Sequence, residues 1–285
     1  MRDFTFVRPG NEKELLEIKG REGEQALILA GGSNLMVYIK EGSINAGTLV
    51  DITGLPGLRG IRLEDGRVEI GACETIASIL ACEPLRRALP FFPEALGQLG
   101  NPLVRNKATI GGNIADASPI ADAAPPLLVL GAELLVASLK GEKTLPLDGF
   151  FLGPRRTRLG PEEAILKIRF PLPPRGRGCF LKLGLRRGTA CAVTSVAVWM
   201  VARGGKAQDI RIALGGVAPV PLRAKLTESL FKNSRLEPAA IESLAREVAG
   251  ELDPIDDVRG SAAYRKEVTI RLLARAVKQA CALGD

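Results

Sequence analysis

"TIGGNIADASPIADAAPP", residues 109–126, sets two adjacent glycines, a series of short polar side chains and three prolines directly before an apolar run. A plain turn accounts for Gly111 and Gly112 but not for Thr109, Asn113, Asp116 and Asp122 along the same backbone. Glycine lets backbone N–H groups approach an anion without obstruction by a Cβ, and short polar side chains add hydrogen bonds. A second segment, "LAGGSNLM" at 29–36, ends an apolar run with the same chemistry in Gly31, Gly32, Ser33 and Asn34. Neither segment matches GxGxxG or GxxxxGK[ST], so neither a Rossmann fold nor a P-loop is supported. One phosphate needs only one such loop. Two loops from distant parts of the chain suit a pyrophosphate gripped from both sides, with Asp122 free to hold sugar or polyol hydroxyls. On composition alone, two unrelated structural turns remain an equal reading.

The rest of the chain narrows the chemistry. Its 285 residues allow about two domains, and 46% hydrophobic with 25% charged residues is an ordinary globular composition. Histidine is absent, which excludes Ser-His-Asp triads, Cys-His pairs and His-ligated metals built from this chain alone. The five cysteines form no CxxC pair, which argues against a zinc or iron–sulfur site and for free thiols. Hard redox chemistry would therefore fall to a bound cofactor. The net charge of +7 suits a polyanionic ligand, an acidic partner or simple solubility. Nucleic acid is a poor candidate, because aromatics are only 4% and the basic residues are dispersed. The charged opening is not a secretory signal, and no apolar stretch approaches the roughly 20 residues of a membrane span. The expectation is a cytoplasmic protein.

Residues 1–53 read as a small α/β unit: strand "FTFVRP", a helix in "NEKELLEIKG" capped by Asn11, and strand "ALILAGG". From about 54 to 173 strands dominate, among them "RVEIGA", "ELLVAS" and "AILKIRF", with short helices near Thr75 and after Pro90. "PLPPRGRG" at 171–178 is the linker candidate. Residues 179–285 read as a hairpin, "CAVTSVAVWMVA" and "DIRIALGGV" around "RGGKAQ", followed by two helices. The last helix carries Tyr264, Val268, Leu272, Leu273, Ala276 and Val277 on one side. Its Arg265, Lys266, Arg271, Arg275 and Lys278 read as a solvated basic face.

"LAGGSNLM", followed by "ATIGGNIADASPIADAAPPLLVLGAEL", resembles the FAD-binding subunit of the molybdenum hydroxylases, the family of xanthine dehydrogenases and aerobic-type carbon monoxide dehydrogenases. "FLKLGLRRGTACAVTSVAV" and "SAAYRKEVTIRLLARAV" continue the resemblance in the right order over nearly the whole chain. It implies an α+β fold: a two-part FAD-binding domain of the vanillyl-alcohol-oxidase type, then a C-terminal domain of antiparallel sheet plus helices. It also implies an oxidoreductase subunit that passes electrons from [2Fe–2S] clusters on one partner, fed by a molybdopterin-binding large subunit, through FAD to NAD or another acceptor.

Carried over by residue, the resemblance implies that Leu29, Ala30, Gly31, Gly32, Ser33, Asn34 and Leu35 wrap the FAD pyrophosphate. Thr109, Gly112 and Asn113 fall on the second flavin loop. Ala115, Asp116 and Asp122 fall near phosphate or hydroxyls, Leu99 and Gly100 lie against the dinucleotide, and Ile168 and Lys182 lie near the cofactor. Two departures stand out. Leu185-Arg186-Arg187 is followed by Ala190 where the family often has an aspartate, and no cysteine-bearing insert is present, so no cluster is expected in this chain. Tyr264 matches a closing-helix tyrosine read as a packing residue. Two alternatives remain beside this reading. One is a stand-alone flavoenzyme resembling UDP-N-acetylenolpyruvylglucosamine reductase, and the other is a non-enzymatic basic interaction protein.

Overall fold

The apolar runs become sheets in a computed structural model that describes residues 3–173, 175–186 and 190–282. The N-terminal sheet consists of β1 (Thr5–Val7), β2 (Ala26–Leu29) and β3 (Thr48–Asp51) in the order β1-β3-β2, with both pairings parallel. Parallel neighbours need crossovers, supplied here by α1 (Glu12–Glu22) and α2 (Leu35–Lys40). Asn11 caps α1 by accepting the Glu14 N–H at 2.9 Å, and the helix buries Leu15 and Ile18.

The chain continues through β4 (Ile61–Glu64) and β5 (Arg67–Gly71) into six short helices: α3 (Ile76–Ala81), α4 (Glu83–Ala88), α5 (Phe91–Leu96), α6 (Pro102–Arg105), α7 (Ile110–Ala115) and α8 (Ala124–Val129). It returns through β6 (Glu133–Ser138), β7 (Gly141–Pro146), the hairpin β8 (Phe151–Gly153) and β9 (Arg156–Thr157), and β10 (Ala164–Pro171). An antiparallel sheet of order β4-β5-β10-β6-β7 results. Pro125 and Pro126 occupy the first turn of α8, where a missing N–H costs nothing.

The C-terminal sheet runs β11 (Arg177–Gly184), β12 (Ala192–Arg203), β13 (Lys206–Gly215), β14 (Leu222–Arg223), all antiparallel. The β12 run from Ala192 to Met200 is buried throughout because both of its faces are covered. Ala197 and Trp199 join the core that holds Phe91, Phe92 and Leu127, whereas Val196, Val198 and Met200 pack with Leu273 and Val277. Burying a ring such as Phe91 contributes about 1.5–3 kcal/mol. The C-terminal sheet is thereby fastened to the helices that precede the second glycine loop.

Among the described residues, three α-helices, not the expected two, follow the sheet: α9 (Lys225–Phe231), α10 (Pro238–Arg246) and α11 (Ala262–Ala282). The basic face of α11 also needs correction. Arg265 is only 2% exposed. Its Nη1 donates to the carbonyls of Val193 (2.6 Å) and Gly216 (2.9 Å), and its Nη2 pairs with Asp257 Oδ1 at 2.5 Å. Carbonyls at strand ends need donors once buried, and a guanidinium has five to give. Tyr264, expected to pack, is 48% exposed instead.

Candidate functional site

The two glycine-rich segments meet in one cleft of about 430 Å³, within the size range of small-molecule sites. Ala30 to Leu35 line it on one side and Thr109, Gly111, Gly112, Asn113, Ala115 and Asp116 on the other, with Leu99, Ala108 and Ile165 as apolar walls. The loops touch directly. A Cβ on Gly31 would lie 1.9 Å from the Lys107 carbonyl oxygen, so only glycine allows this contact.

The sequence suggested that the loops repeat one chemistry; the structure gives them different work. In the second loop the backbone donors are spent. Ile110 N–H goes to the Glu74 carbonyl, Gly111 to Ala72, Gly112 to Thr109 Oγ1 and Asn113 to the Thr109 carbonyl. Thr109 is thus the N-cap of α7, and a Cβ on Gly112 would sit 2.8 Å from that hydroxyl. A substitution at Gly112 would therefore first disturb the cap. In the first loop, no described hydrogen bond uses the N–H of Gly31, Gly32, Ser33 or Asn34. The donor wall is Gly31–Asn34; the second loop contributes side chains. Of these, Asn113 commits its Oδ1 to the Ala123 N–H at 3.3 Å and keeps its NH₂ for a ligand.

Asp116, awkward beside a phosphate, bridges the loops. Its Oδ2 accepts from Asn34 Nδ2 at 2.7 Å across 82 residues of chain. The Tyr38 phenol is pushed above its usual pKa by burial first, then by the charge of Asp116 and a hydrogen bond to it.

Asp122 is not free, contrary to expectation. It lies outside the cleft lining, almost buried, and its Oδ2 sits 2.5 Å from Lys182 Nζ. Its Oδ1 is buried without a hydrogen-bond partner. Burial raises the Asp122 carboxyl above its usual pKa, against the opposing charge and hydrogen bond of Lys182. Lys182 also donates to the Gln98 carbonyl at 3.0 Å. With Gly100, Arg105, Arg186 and Ala190 it lines a second cavity of about 380 Å³. The two cavities lie on either side of the 97–101 segment: Leu99 lines the first, Gly97, Gln98, Gly100 and Asn101 the second. Arg105 Nη1 fixes this divider through the carbonyls of Gly97 and Leu99.

Two further residues expected at the cofactor lie outside the cleft lining. Leu29 ends β2 and accepts the Ile52 N–H, and Ile168 is fully buried opposite Ile70 and Leu134. Arg187 lies outside the described residues. The sequence reading missed Tyr38 and Arg155, both on the cleft wall. Neither belongs to a glycine motif, and only the tertiary fold brings the β8–β9 turn to the loops.

Known proteins share this fold. Residues 2–173 match the family model described as the FAD binding domain in molybdopterin dehydrogenase, and residues 180–280 match the CO dehydrogenase flavoprotein C-terminal domain. The chain is 33% identical to the carbon monoxide dehydrogenase medium chain of Hydrogenophaga pseudoflava, covering 98% of this chain and 97% of that one. It is 28% identical to the xanthine dehydrogenase FAD-binding subunit of Escherichia coli O157:H7, covering 92% and 90%. A solved structure of carbon monoxide dehydrogenase from Hydrogenophaga pseudoflava, lacking the Mo-pyranopterin moiety of its cofactor, superposes with a TM-score of 0.94 at 33% identity, over 99% of this chain and 98% of that one.

Proposed function

The chain belongs to the family of FAD-binding subunits of the molybdopterin dehydrogenases, and from that membership we propose that it is the electron-transfer subunit of a multi-subunit molybdenum hydroxylase, holding FAD in the cleft between its two glycine-rich loops. The observation that carries this placement is the run of uncommitted N–H groups from Gly31 to Asn34 on a wall that no Cβ at Gly31 could share. The residues present fit the cofactor: a donor-rich edge for a diphosphate, apolar walls, and a lysine-bearing second cavity beyond the 97–101 divider.

Bound FAD supplies redox chemistry that accepts single electrons and releases them singly or as hydride. The chain's own residues bind and orient. The N–H groups of Gly31, Gly32, Ser33 and Asn34 and the Ser33 hydroxyl would hold diphosphate oxygens. The Asn113 NH₂ and Thr109 hydroxyl, one loop away, would hold polar groups next to it, and Leu35, Leu99 and Ala115 would exclude water. Lys182, oriented by Asp122 and the Gln98 carbonyl, would present its ammonium to the second cavity.

In this reading, substrate is oxidised at a molybdenum–pterin centre on a large partner subunit. [2Fe–2S] clusters on a small partner pass the electrons here, and NAD or another acceptor collects them. The FAD-binding domain would span 1–173, in parts 1–53 and 54–173, and the C-terminal domain 179–285. The setting would be cytoplasmic, and among the described residues no helix is long and apolar enough to cross a membrane.

The test is to express the full chain, add FAD and desalt. Flavin absorbance should stay with the protein, and the photoreduced complex should be reoxidised by NAD⁺ or by an artificial acceptor. A colourless protein without measurable FAD affinity sinks the proposal. Turnover of NADPH with UDP-N-acetylenolpyruvylglucosamine by the lone chain would replace it with the reductase reading.

A further inference from the structure

A diphosphate brings negative charge into a cleft that already has two carboxylates in its lining, Asp116 and Glu163. Glu163 is neutralised by Lys143 at 2.5 Å. Asp116 has an amide and a phenol as its described partners, and neither offsets its charge. The second loop has no spare backbone donor from Ile110 to Asn113. Among the described lining residues, the one Lys or Arg is Arg155, and no described ion pair engages it.

We propose that Arg155, on the turn between β8 and β9, is a ligand-binding residue that supplies the positive charge for the FAD diphosphate, held in place by the Tyr38 ring and the Ala117 carbonyl. The proposal rests on the FAD reading of the cleft. Its guanidinium carbon lies 5.2 Å from the centre of the Tyr38 ring, within range of a cation–π contact. Its backbone N–H donates to the Ala117 carbonyl at 3.1 Å. Both residues are non-glycines in the left-handed region, Arg155 at φ 57° and Ala117 at φ 47°. Such conformations are uncommon and persist only where surrounding structure fixes them. Here they join the hairpin turn to the residue that follows Asp116, so the arginine is presented to both loops at once. The Tyr38 phenol beneath it is also within the electrostatic reach of Asp116, so the cation and the carboxylate act on one ring. A planar guanidinium with five donors suits phosphate oxygens better than an ammonium does.

The test measures FAD affinity of the full chain by flavin fluorescence, at low and high salt, for wild type, Arg155→Gln and Arg155→Lys, with ADP as competitor. Removing one charge-assisted phosphate contact should raise the FAD dissociation constant about tenfold in Arg155→Gln. It should also flatten the salt dependence and weaken ADP competition in parallel, and Arg155→Lys should recover part of the loss. Melting temperatures without FAD should stay together, which separates lost contact from lost fold. An Arg155→Gln affinity within twofold of wild type, with the same salt dependence, overturns the proposal. A wild-type chain that binds no FAD overturns the FAD reading itself, and this inference with it.

Discussion

Lys182 Nζ lies 2.5 Å from Asp122 Oδ2 with the two side chains only 5% and 9% exposed, which ties the first strand of the C-terminal sheet to the loop after α7. A buried pair is weak evidence for net stability, but breaking one half leaves an uncompensated charge. Lys182→Met should therefore destabilise by about 3–5 kcal/mol. Pairing it with Asp122→Asn should cost clearly less than the sum of the two single changes. Urea unfolding of all four proteins completes the cycle, and strict additivity would show that the two groups are not coupled.

Arg265 and Asp257 give a pH prediction in the C-terminal domain. Burial pushes the Asp257 carboxyl up, but hydrogen bonds from the Arg259 backbone and side chain and from Arg265 outweigh it and hold the pKa below its usual value. A depressed carboxyl contributes stability above its unfolded pKa of about 3.9, and that stability is lost as pH falls through the folded value. Asp257→Asn should thus melt below wild type at pH 7, and the gap should close as pH falls below about 4. Parallel melting curves at every pH would refute the assignment.

Gly31 tests the contact between the loops. An added Cβ would be 1.9 Å from the Lys107 carbonyl oxygen, backbone that cannot swing away. Gly31→Ala should cost about 1–3 kcal/mol by overpacking and should weaken FAD binding as the donor wall moves. Gly54→Ala, which meets nothing within 4 Å, is the control and should stay within about 0.5 kcal/mol of wild type. Equal melting temperatures for the two variants would mean that the loops do not meet as described.

The sequence carried the strands because their apolar runs are local, and it carried the two glycine loops because bare backbone beside Ser33, Asn34, Thr109 and Asn113 is a local pattern, although on composition alone two structural turns read equally well. What it could not carry was the allocation of hydrogen bonds. Nothing local says that the Gly112 N–H is spent on Thr109 Oγ1, or that the Gly31–Asn34 donors are left over. Asp122 looked like a free hydroxyl holder because its cation is 60 residues away. Arg265 looked like one more solvated base because helical periodicity does not report a buried carbonyl waiting for a donor. Arg155 was invisible for a related reason: its turn reaches the cleft only once β8 and β9 are folded against the loops.

Asp116 offers the sharpest test of the cleft's electrostatics. Its carboxylate holds Asn34 in place, yet it adds negative charge where a diphosphate would bind. Asp116→Asn keeps an oxygen to accept from Asn34 Nδ2 and removes the charge. FAD affinity at low salt should then rise about threefold or more, and the gain should shrink at high salt as screening weakens the repulsion. Asp116→Ala removes the acceptor as well, so the freed Asn34 amide should cancel part of that gain. A second readout is independent of flavin. The Tyr38 phenol is held above its usual pKa, by burial first and then by Asp116. Its titration in the Asn variant should move down toward the ordinary tyrosine value, without reaching it, because the burial remains. If Asp116→Asn instead weakens FAD binding several-fold, the carboxylate is a direct ligand for sugar or polyol hydroxyls, and the repulsion argument fails.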